Sequence, residues 1–145
     1  MRFADTNILL YAISTDPREA AKTAEALKQL ESTDLALSVQ VLQEFYVQST
    51  RPTRSGRITR QQAFALIESW LRFPVQETTV EIVRAALAAS ERFQLSYWDA
   101  AIIEAARALG CKVVLSEDLS AGQSYGGIRV VNPFLTKGRR SSQQP

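Results

Sequence analysis

The sequence predicts one α/β domain built on a mainly parallel sheet, and three observations support this. Short apolar runs typical of strands alternate with longer amphipathic patterns typical of helices. A chain of 145 residues with 46% hydrophobic and 22% charged content suits one soluble domain with a substantial core. No internal repeat or domain linker divides the chain. We therefore predict one domain over residues 1–134 and a disordered basic tail over residues 135–145.

The first third of the chain is predicted to start with a strand and to continue with two helices. The strand covers residues 2–4 and a short helix covers residues 8–13. Asp16 as N-cap and Pro17 at the first helical position begin a second helix over residues 17–30. Its predicted apolar stripe consists of Ala21, Ala24, Leu27 and Leu30.

The middle of the chain repeats the alternation of strand and helix. An apolar strand over residues 35–37 leads into a helix over residues 39–49, which ends before Pro52. A further helix covers residues 59–71, and a weak strand follows at residues 75–77.

The last third of the chain supplies two helices and two strands. One helix covers residues 80–93, and another begins at Ser96 and ends at Gly110, which is a natural C-cap. Apolar runs at residues 112–115 and 128–131 are the last predicted strands.

Composition excludes several classes of catalytic site. The chain has no histidine, which rules out Ser-His-Asp and Cys-His catalysis and histidine metal sites. Its single cysteine, Cys111, cannot form an internal disulfide or a thiolate zinc site, and we interpret it as a buried structural thiol. The net charge of +2 is too small to indicate a nucleic-acid partner by itself. Without a recognisable signal peptide or membrane-spanning run, the expected location is cytoplasmic.

Four carboxylates stand where an α/β protein places a ligand site. Asp5 follows the first predicted strand, and Asp118 follows the strand over residues 112–115. Parallel strands end at the same edge of a sheet, where ligands collect. Glu44 and Asp99 lie in helical patterns between these two positions. Clustered carboxylates repel each other unless a cation lies among them, and oxygen ligands suit Mg²⁺ or Mn²⁺.

Each of these acids also has a simpler interpretation. Asp5 is suited to capping the helix that follows it, and Asp99 fits a capping box begun by Ser96. Glu44 lies in a polar stripe with glutamines one turn away on either side, and such a stripe usually faces solvent. Asp118 is a loop residue, and acidic loop residues are usually solvated. The occurrence of all four acids together is therefore stronger evidence for a ligand site than any one of them.

The order and spacing of the four acids resemble the acidic motifs of PIN domains. The matching segments are Asp5, Thr6 and Asn7, then Glu44, then Tyr-Trp-Asp-Ala-Ala at residues 97–101, then Leu-Ser-Glu-Asp-Leu at residues 115–119. The segment Gly-Gly-Ile-Arg-Val-Val-Asn-Pro-Phe at residues 126–134 is similar to the ending of VapC-type toxins. In the fourth motif, Ser116 and Asp118 match the Ser/Thr-x-Asp pattern, and Glu117 has no assigned role.

The resemblance implies a PIN-like nuclease domain over residues 1–134 with a three-layer α/β/α sandwich and a sheet of about five strands. It implies a Mg²⁺- or Mn²⁺-dependent endoribonuclease, the toxin of a toxin–antitoxin pair, with an RNA substrate, a cognate antitoxin, a homodimeric state and no membrane association. The implied catalytic and metal-binding residues are Asp5, Glu44, Asp99 and Asp118. The residues expected to orient them through hydrogen bonds are Thr6, Asn7 and Ser116.

Basic and aromatic residues supply candidate contacts to RNA. Four arginines recur at every third position between small and polar residues, which favours contacts to phosphates or a solvated surface: Arg51, Arg54, Arg57 and Arg60. A second basic group in the tail consists of Lys137, Arg139 and Arg140. Tyr46, Tyr97 and Trp98 would stack on bases if they are exposed, although aromatics beside apolar positions are more often core residues.

Two other functions remain open. An aspartyl-nucleophile phosphatase also places an Asp after its first strand, but it usually carries a second Asp two residues later, where this chain has Asn7. A non-catalytic RNA- or partner-binding module with a structural cation would need no cleavage chemistry. A cleavage assay with and without Mg²⁺ separates this second alternative from the nuclease.

Overall fold

The sheet positions every part of the candidate site. A computed structural model describes residues 1–135 of the chain. In this part of the chain the strands are β1 (Arg2–Ala4), β2 (Leu35–Ser38), β3 (Val75–Gln76), β4 (Val113–Leu115), β5 (Ser124–Tyr125) and β6 (Ile128–Val131). They form one sheet in the order β3-β2-β1-β4-β6-β5, and all pairs except β5–β6 are parallel. The predicted basic tail falls, beyond Leu135, outside the described residues.

Helices connect and cover these strands. They are α1 (Thr6–Ala12), α2 (Ala20–Leu30) after a 3₁₀ turn (Pro17–Glu19), α3 (Val39–Ser49), α4 (Arg60–Trp70), α5 (Val80–Phe93) and α6 (Tyr97–Ala108). Helix α1 packs on α2 and α3, α5 packs on α6, and α6 packs on the sheet. This confirms the predicted three-layer α/β/α sandwich. No helix within residues 1–135 combines the length and apolar character needed to span a membrane.

Side-chain caps explain where several helices begin. The Ser38 hydroxyl accepts a hydrogen bond from the Val41 N–H at 3.2 Å, and Thr79 caps α5 in the same way. Thr59 and Gln62 form a reciprocal capping box at the start of α4. Because these caps are local, the predicted helices at residues 39–49 and 80–93 have the same limits in the structure.

The sheet contains one strand that the sequence did not predict. Strand β5 pairs antiparallel with β6, with Tyr125 opposite Ile128. The turn between them uses Gly126 and Gly127, both at positive φ, which glycine adopts without strain. Because β5 has only two residues, it shows no alternating pattern. The prediction of about five strands therefore describes the parallel part of the sheet, to which β5 adds an edge.

The predicted apolar stripe of α2 is wrong at three of its four positions. Leu30 is buried as expected, but Ala21, Ala24 and Leu27 are exposed, and Ala26 is buried instead. Helix α2 packs on α1, and the Thr23 hydroxyl donates a hydrogen bond to the Tyr11 carbonyl at 2.8 Å. This contact turns a different face of the helix toward the core.

Helix α6 runs through the interior of the domain. Its residues 100–106 are all buried, whereas its first turn reaches the surface. Cys111, just after this helix, is also buried and forms no disulfide, which confirms its predicted structural role. The burial of α6 fixes the position of its first turn, which carries Asp99.

Candidate active site at an acidic cleft

The ends of two neighbouring strands bring the first and last acidic motifs together. Strands β1 and β4 pair in parallel with Ala4 opposite Leu115. The Asp5 N–H donates a hydrogen bond to the Leu115 carbonyl at 3.0 Å, which extends this pairing by one residue. Asp5 and the loop that contains Asp118 therefore leave the sheet side by side, at the edge where parallel sheets bind ligands.

Helix α3 places Glu44 against the same edge. The helix starts directly after β2, which pairs with β1 on the side opposite to β4. The Thr6 hydroxyl donates a hydrogen bond to Glu44 Oε1 at 3.1 Å. Gln40 Nε2 contacts Glu44 Oε1 and the Trp98 carbonyl, each at 3.3 Å, and so links α3 to the first turn of α6. The polar stripe on α3 faces this cleft rather than open solvent.

All four acids line one small cleft of about 100 Å³. They come from four different segments of the chain: the end of β1, helix α3, the first turn of α6 and the loop after β4. The other residues that line the cleft are Thr6, Asn7, Leu10, Gln40, Gln48, Trp98 and Ile102. Three acids are partly or fully buried, and Asp118 is exposed.

Asp5 is the most buried of the four acids. Its Oδ1 accepts a hydrogen bond from the Thr6 N–H at 2.7 Å, so Asp5 also caps α1. Its Oδ2 accepts a hydrogen bond from the Ser116 hydroxyl at 2.7 Å. Burial raises the pKa of Asp5 from 3.8 to about 6, because the two hydrogen bonds offset desolvation only in part and the charges of Asp118 and Glu44 raise it further.

Asn7 and Ser116 connect Asp5 to Asp118. Asn7 Nδ2 lies 3.2 Å from Asp118 Oδ2 and 3.3 Å from Ser116 Oγ, and its Oδ1 accepts a hydrogen bond from the Glu117 N–H. Ser116 Oγ accepts hydrogen bonds from the N–H groups of Asp118 and Leu119, both at 3.2 Å. A neutral amide and a hydroxyl thus hold the fourth-motif loop against Asp5.

The donor chemistry of the cleft fits a hard divalent cation. The salt bridges found among residues 1–135 involve other acids, so none of the four cleft carboxylates is neutralised by Lys or Arg there. Within residues 1–135, no three of the carboxylates are close enough together to form a complete metal site. Carboxylate oxygens are the ligands that Mg²⁺ and Mn²⁺ prefer.

Comparison with known families identifies the domain. The family model described as "PIN domain" matches residues 2–121. The chain belongs to the PIN domain family. This confirms the family resemblance drawn from the acidic motifs, and it fits a six-stranded, mostly parallel sheet with the acids at one edge. No curated protein sequence matches this PIN domain significantly.

Solved structures share the fold of this PIN domain at low sequence identity. A toxin–antitoxin complex from Klebsiella pneumoniae has a TM-score of 0.66 and 20% identity, over 92% of this chain and 98% of that chain. VapC20 of Mycobacterium tuberculosis, described as a Sarcin-Ricin loop cleaving toxin, has a TM-score of 0.63 and 19% identity, over 81% and 90%. DNA-bound VapBC from Salmonella typhimurium has a TM-score of 0.63 and 17% identity, over 89% and 95%.

Glu117 of this PIN domain lines a cavity next to the acidic cleft and contacts Tyr11 and Lys22. Its Oε1 accepts a hydrogen bond from the Tyr11 hydroxyl at 2.5 Å, and its Oε2 forms a salt bridge with Lys22 Nζ at 2.6 Å. Burial opposes ionisation of Glu117, but the contacts from Lys22 and Tyr11 outweigh it and lower the pKa of Glu117. Tyr11 and Lys22 lie 106 and 95 residues away in sequence, so no local pattern predicts this contact.

Loss of this salt bridge is expected to loosen the loop that carries Asp118. Lys22→Met should lower the free energy of unfolding by about 1 kcal/mol or less, because both partners are partly exposed. Lys28→Met, on an exposed position of the same helix, is the matched control for urea unfolding. Equal behaviour of the two variants would show that the Glu117 contact does not position the loop.

The four arginines of the predicted basic run separate into two groups. Arg54 is partly buried and lines a cavity of about 190 Å³ that shares Asn7 and Asp118 with the acidic cleft. The other three line a different cavity, between α3 and the start of α4: Arg51, Arg57 and Arg60. The connecting loop turns at Gly56, where a Cβ atom would lie 2.9 Å from the Thr15 hydroxyl. The arginines therefore do not form one continuous stripe.

Proposed function

We propose that this PIN domain is a divalent-cation-dependent endoribonuclease and the toxin of a toxin–antitoxin pair. The observation that supports this most strongly is the cleft itself: four carboxylates, from four segments of a PIN domain, surround one space and have no Lys or Arg partner within residues 1–135. A phosphatase acting through Asp5 is disfavoured, because Asn7 uses its neutral amide to connect the loop instead of acting as a second acid.

The residues of the cleft divide into ligands and supports. Asp5, Glu44, Asp99 and Asp118 would hold Mg²⁺ or Mn²⁺, directly or through water. The cation, when bound, supplies an activated water and neutralises charge at the phosphate. Three side chains contact three of the four carboxylates through the hydrogen bonds described above: Thr6, Asn7 and Ser116. Such supporting contacts typically change metal affinity or activity roughly 10- to 100-fold when they are lost.

The preference for RNA rests on related proteins and not on the chemistry of the cleft. Attack by water on a phosphodiester does not require the 2′-hydroxyl, so the mechanism itself allows DNA. VapC20, which shares the fold, is described as cleaving the Sarcin-Ricin loop, and the chain from Klebsiella pneumoniae comes from a toxin–antitoxin complex. The first of these neighbours supports an RNA substrate and the second supports a toxin role; a cytoplasmic location is part of the same proposal.

The proposed protein partner is an antitoxin. Helix α4 exposes Phe64, its C-cap residue Leu71 is also exposed, and α2 exposes Leu27, so both helices present apolar side chains that a partner helix could cover. A homodimer, as the family resemblance implies, is part of the same proposal, and light scattering of the purified chain checks it. Expression in a bacterial host should slow growth, and co-expression of an adjacent small protein with a DNA-binding motif should restore it. Equal growth with and without that protein would contradict the pairing.

Incubation of the purified chain with total RNA tests the nuclease proposal. We expect discrete fragments in Mg²⁺ or Mn²⁺, none in EDTA, and linear phosphate ends instead of 2′,3′-cyclic phosphates. Asp99→Asn should retain the fold and lose cleavage, because Asp99 lies in the cleft while the Ser96 cap uses only the Asp99 backbone. A folded wild type that binds RNA without cutting it would favour the non-catalytic module instead.

Arg54 is expected to contact RNA phosphates beside the cleft. Arg54→Gln should flatten the log–log salt dependence of RNA binding by about 0.7, the value for one lost phosphate contact to a single strand. The cleavage rate at saturating RNA should change little, because the acids remain in place. Arg60→Gln removes the same charge from the separate cavity and is the matched comparison. A larger loss of affinity for Arg60→Gln would place the RNA path along the cavity lined by Arg51, Arg57 and Arg60.

A further inference from the structure

Trp98 is a large, exposed apolar residue in the first turn of a helix whose middle is buried. It is 64% exposed, whereas residues 100–106 of α6 are all buried. The second tryptophan of the chain, Trp70, is 4% exposed and packs edge-on against Phe45. An indole offers a large apolar surface that a domain usually covers. The exposed indole of Trp98 is therefore a candidate ligand contact, and its position indicates the class of ligand.

The position of Trp98 is in the wall of the acidic cleft. It lines the same space as Asp99 and Glu44. Its backbone carbonyl accepts a hydrogen bond from Gln40 Nε2 at 3.3 Å. The Tyr97 ring lies 5.1 Å from the indole at an interplanar angle of 82°, in edge contact. Gln40 of α3 thus contacts the Trp98 backbone, and Tyr97 contacts the indole ring.

The charge of the cleft limits how it can hold a polyanion. The four carboxylates repel phosphate groups wherever their charge is not offset by a cation, so contacts that do not depend on charge would add affinity. Stacking of a nucleobase on an aromatic ring is such a contact, and every base has a face that can stack. Among the residues of positions 1–135 that line the cleft, Trp98 is the one aromatic side chain.

We infer that Trp98 is a stacking platform for an unpaired nucleobase of the RNA, next to the phosphate that enters the acidic cleft. The inference rests on the proposed nuclease function and adds a residue that selects the substrate. A base stacked on Trp98 has left its own helical stack, so the platform favours single strands and loops over duplex RNA. Loss of the indole should weaken binding about 5- to 100-fold. The acids stay in place, so the rate at saturating RNA should change little.

Tryptophan fluorescence tests the platform without requiring cleavage. A short oligoadenylate is titrated into the wild type and into Trp98→Phe, whose only remaining tryptophan is the buried Trp70. We expect the oligonucleotide to quench the wild type and to leave Trp98→Phe unchanged, and annealing to oligouridylate should remove the effect. Equal quenching of both proteins, or none in the wild type, would overturn the platform.

Cleavage kinetics and oligomeric state complete the test. On an RNA that the wild type cuts, Trp98→Ala should raise KM with little change in kcat, and Trp98→Phe should largely restore KM. Leu87→Ala truncates an exposed apolar side chain on a different helix, α5, and should have the KM and kcat of the wild type. An unchanged KM for Trp98→Ala contradicts the platform. A change in the molar mass of the Trp98→Ala oligomer also contradicts it, because that change would assign Trp98 to a protein contact. A wild type that cuts no RNA refutes the nuclease proposal, and fluorescence then decides the platform alone.

Discussion

Replacement of Asp5 by Asn is expected to abolish RNA cleavage and to stabilise the cation-free protein at neutral pH. Cleavage should fall by at least about 100-fold, because loss of a group that merely supports a metal ligand already costs roughly 10- to 100-fold. The stability effect has a separate cause, which is the burial of a carboxylate whose pKa rises from 3.8 to about 6. Measurements of cleavage and of stability on this one variant therefore report separately on the catalytic role of Asp5 and on the energetic cost of its buried charge.

The pH dependence of this effect has a definite sign. Because the folded state holds the Asp5 proton more tightly than the unfolded state does, protonation stabilises the fold, and this stabilisation is lost as pH rises from about 4 to about 6. Above this window the ionised carboxylate costs up to about 3 kcal/mol. Asn does not ionise, so Asp5→Asn should be more stable than the wild type at pH 7.5 by about 1–3 kcal/mol.

Urea unfolding in EDTA across pH 4 to 8 measures this difference. As pH rises from about 4 to about 6, the wild type should lose stability relative to Asp5→Asn. Glu68→Gln, which removes an exposed acid from α4, controls for the change in net charge and should follow the wild type. If Asp5→Asn is less stable at pH 7.5, the lost hydrogen bonds to Ser116 and Thr6 outweigh the relief of the buried charge.

Mn²⁺ is expected to stabilise the wild type strongly. A cation that binds only the folded state adds about 2.7 kcal/mol when its concentration is 100 times Kd. Its apparent affinity should rise with pH through about 6, because the cation competes with the proton on Asp5. Thermal unfolding at increasing Mn²⁺ measures both effects.

Variants show whether this stabilisation arises in the acidic cleft. Asp5→Asn and Asp99→Asn should lose most of it, and Glu68→Gln should keep it. Undiminished stabilisation of both cleft variants would place the cation at another site.

Local sequence patterns predicted most of the fold because local interactions determine it. Caps at Ser38 and Thr79 set the start of α3 and α5, and apolar runs set the parallel strands. The four acids could be proposed from the sequence because parallel strands and the helices after them converge at one edge of the sheet. The structure places all four in one cleft, and their catalytic roles remain predictions.

The features that the sequence did not predict depend on tertiary contacts. The buried face of α2 is set by its packing on α1, and β5 exists only because β6 pairs with it. The partners of Glu117 lie far away in sequence. The exposure of Trp98 contradicts the expectation that aromatics beside apolar positions belong to the core, because α6 reaches the surface at its first turn. None of these features leaves a periodic signal in the chain.

The most direct test of the acidic cleft as a cation-dependent nuclease is a Mn²⁺ titration of RNA cleavage, starting from protein stripped with EDTA. Cleavage should be absent at first, should rise with free Mn²⁺, and should reach half its maximum at the concentration that half-saturates the thermal stabilisation. Asp99→Asn should show neither response. RNA cleavage by the wild type that persists undiminished in EDTA would contradict the account.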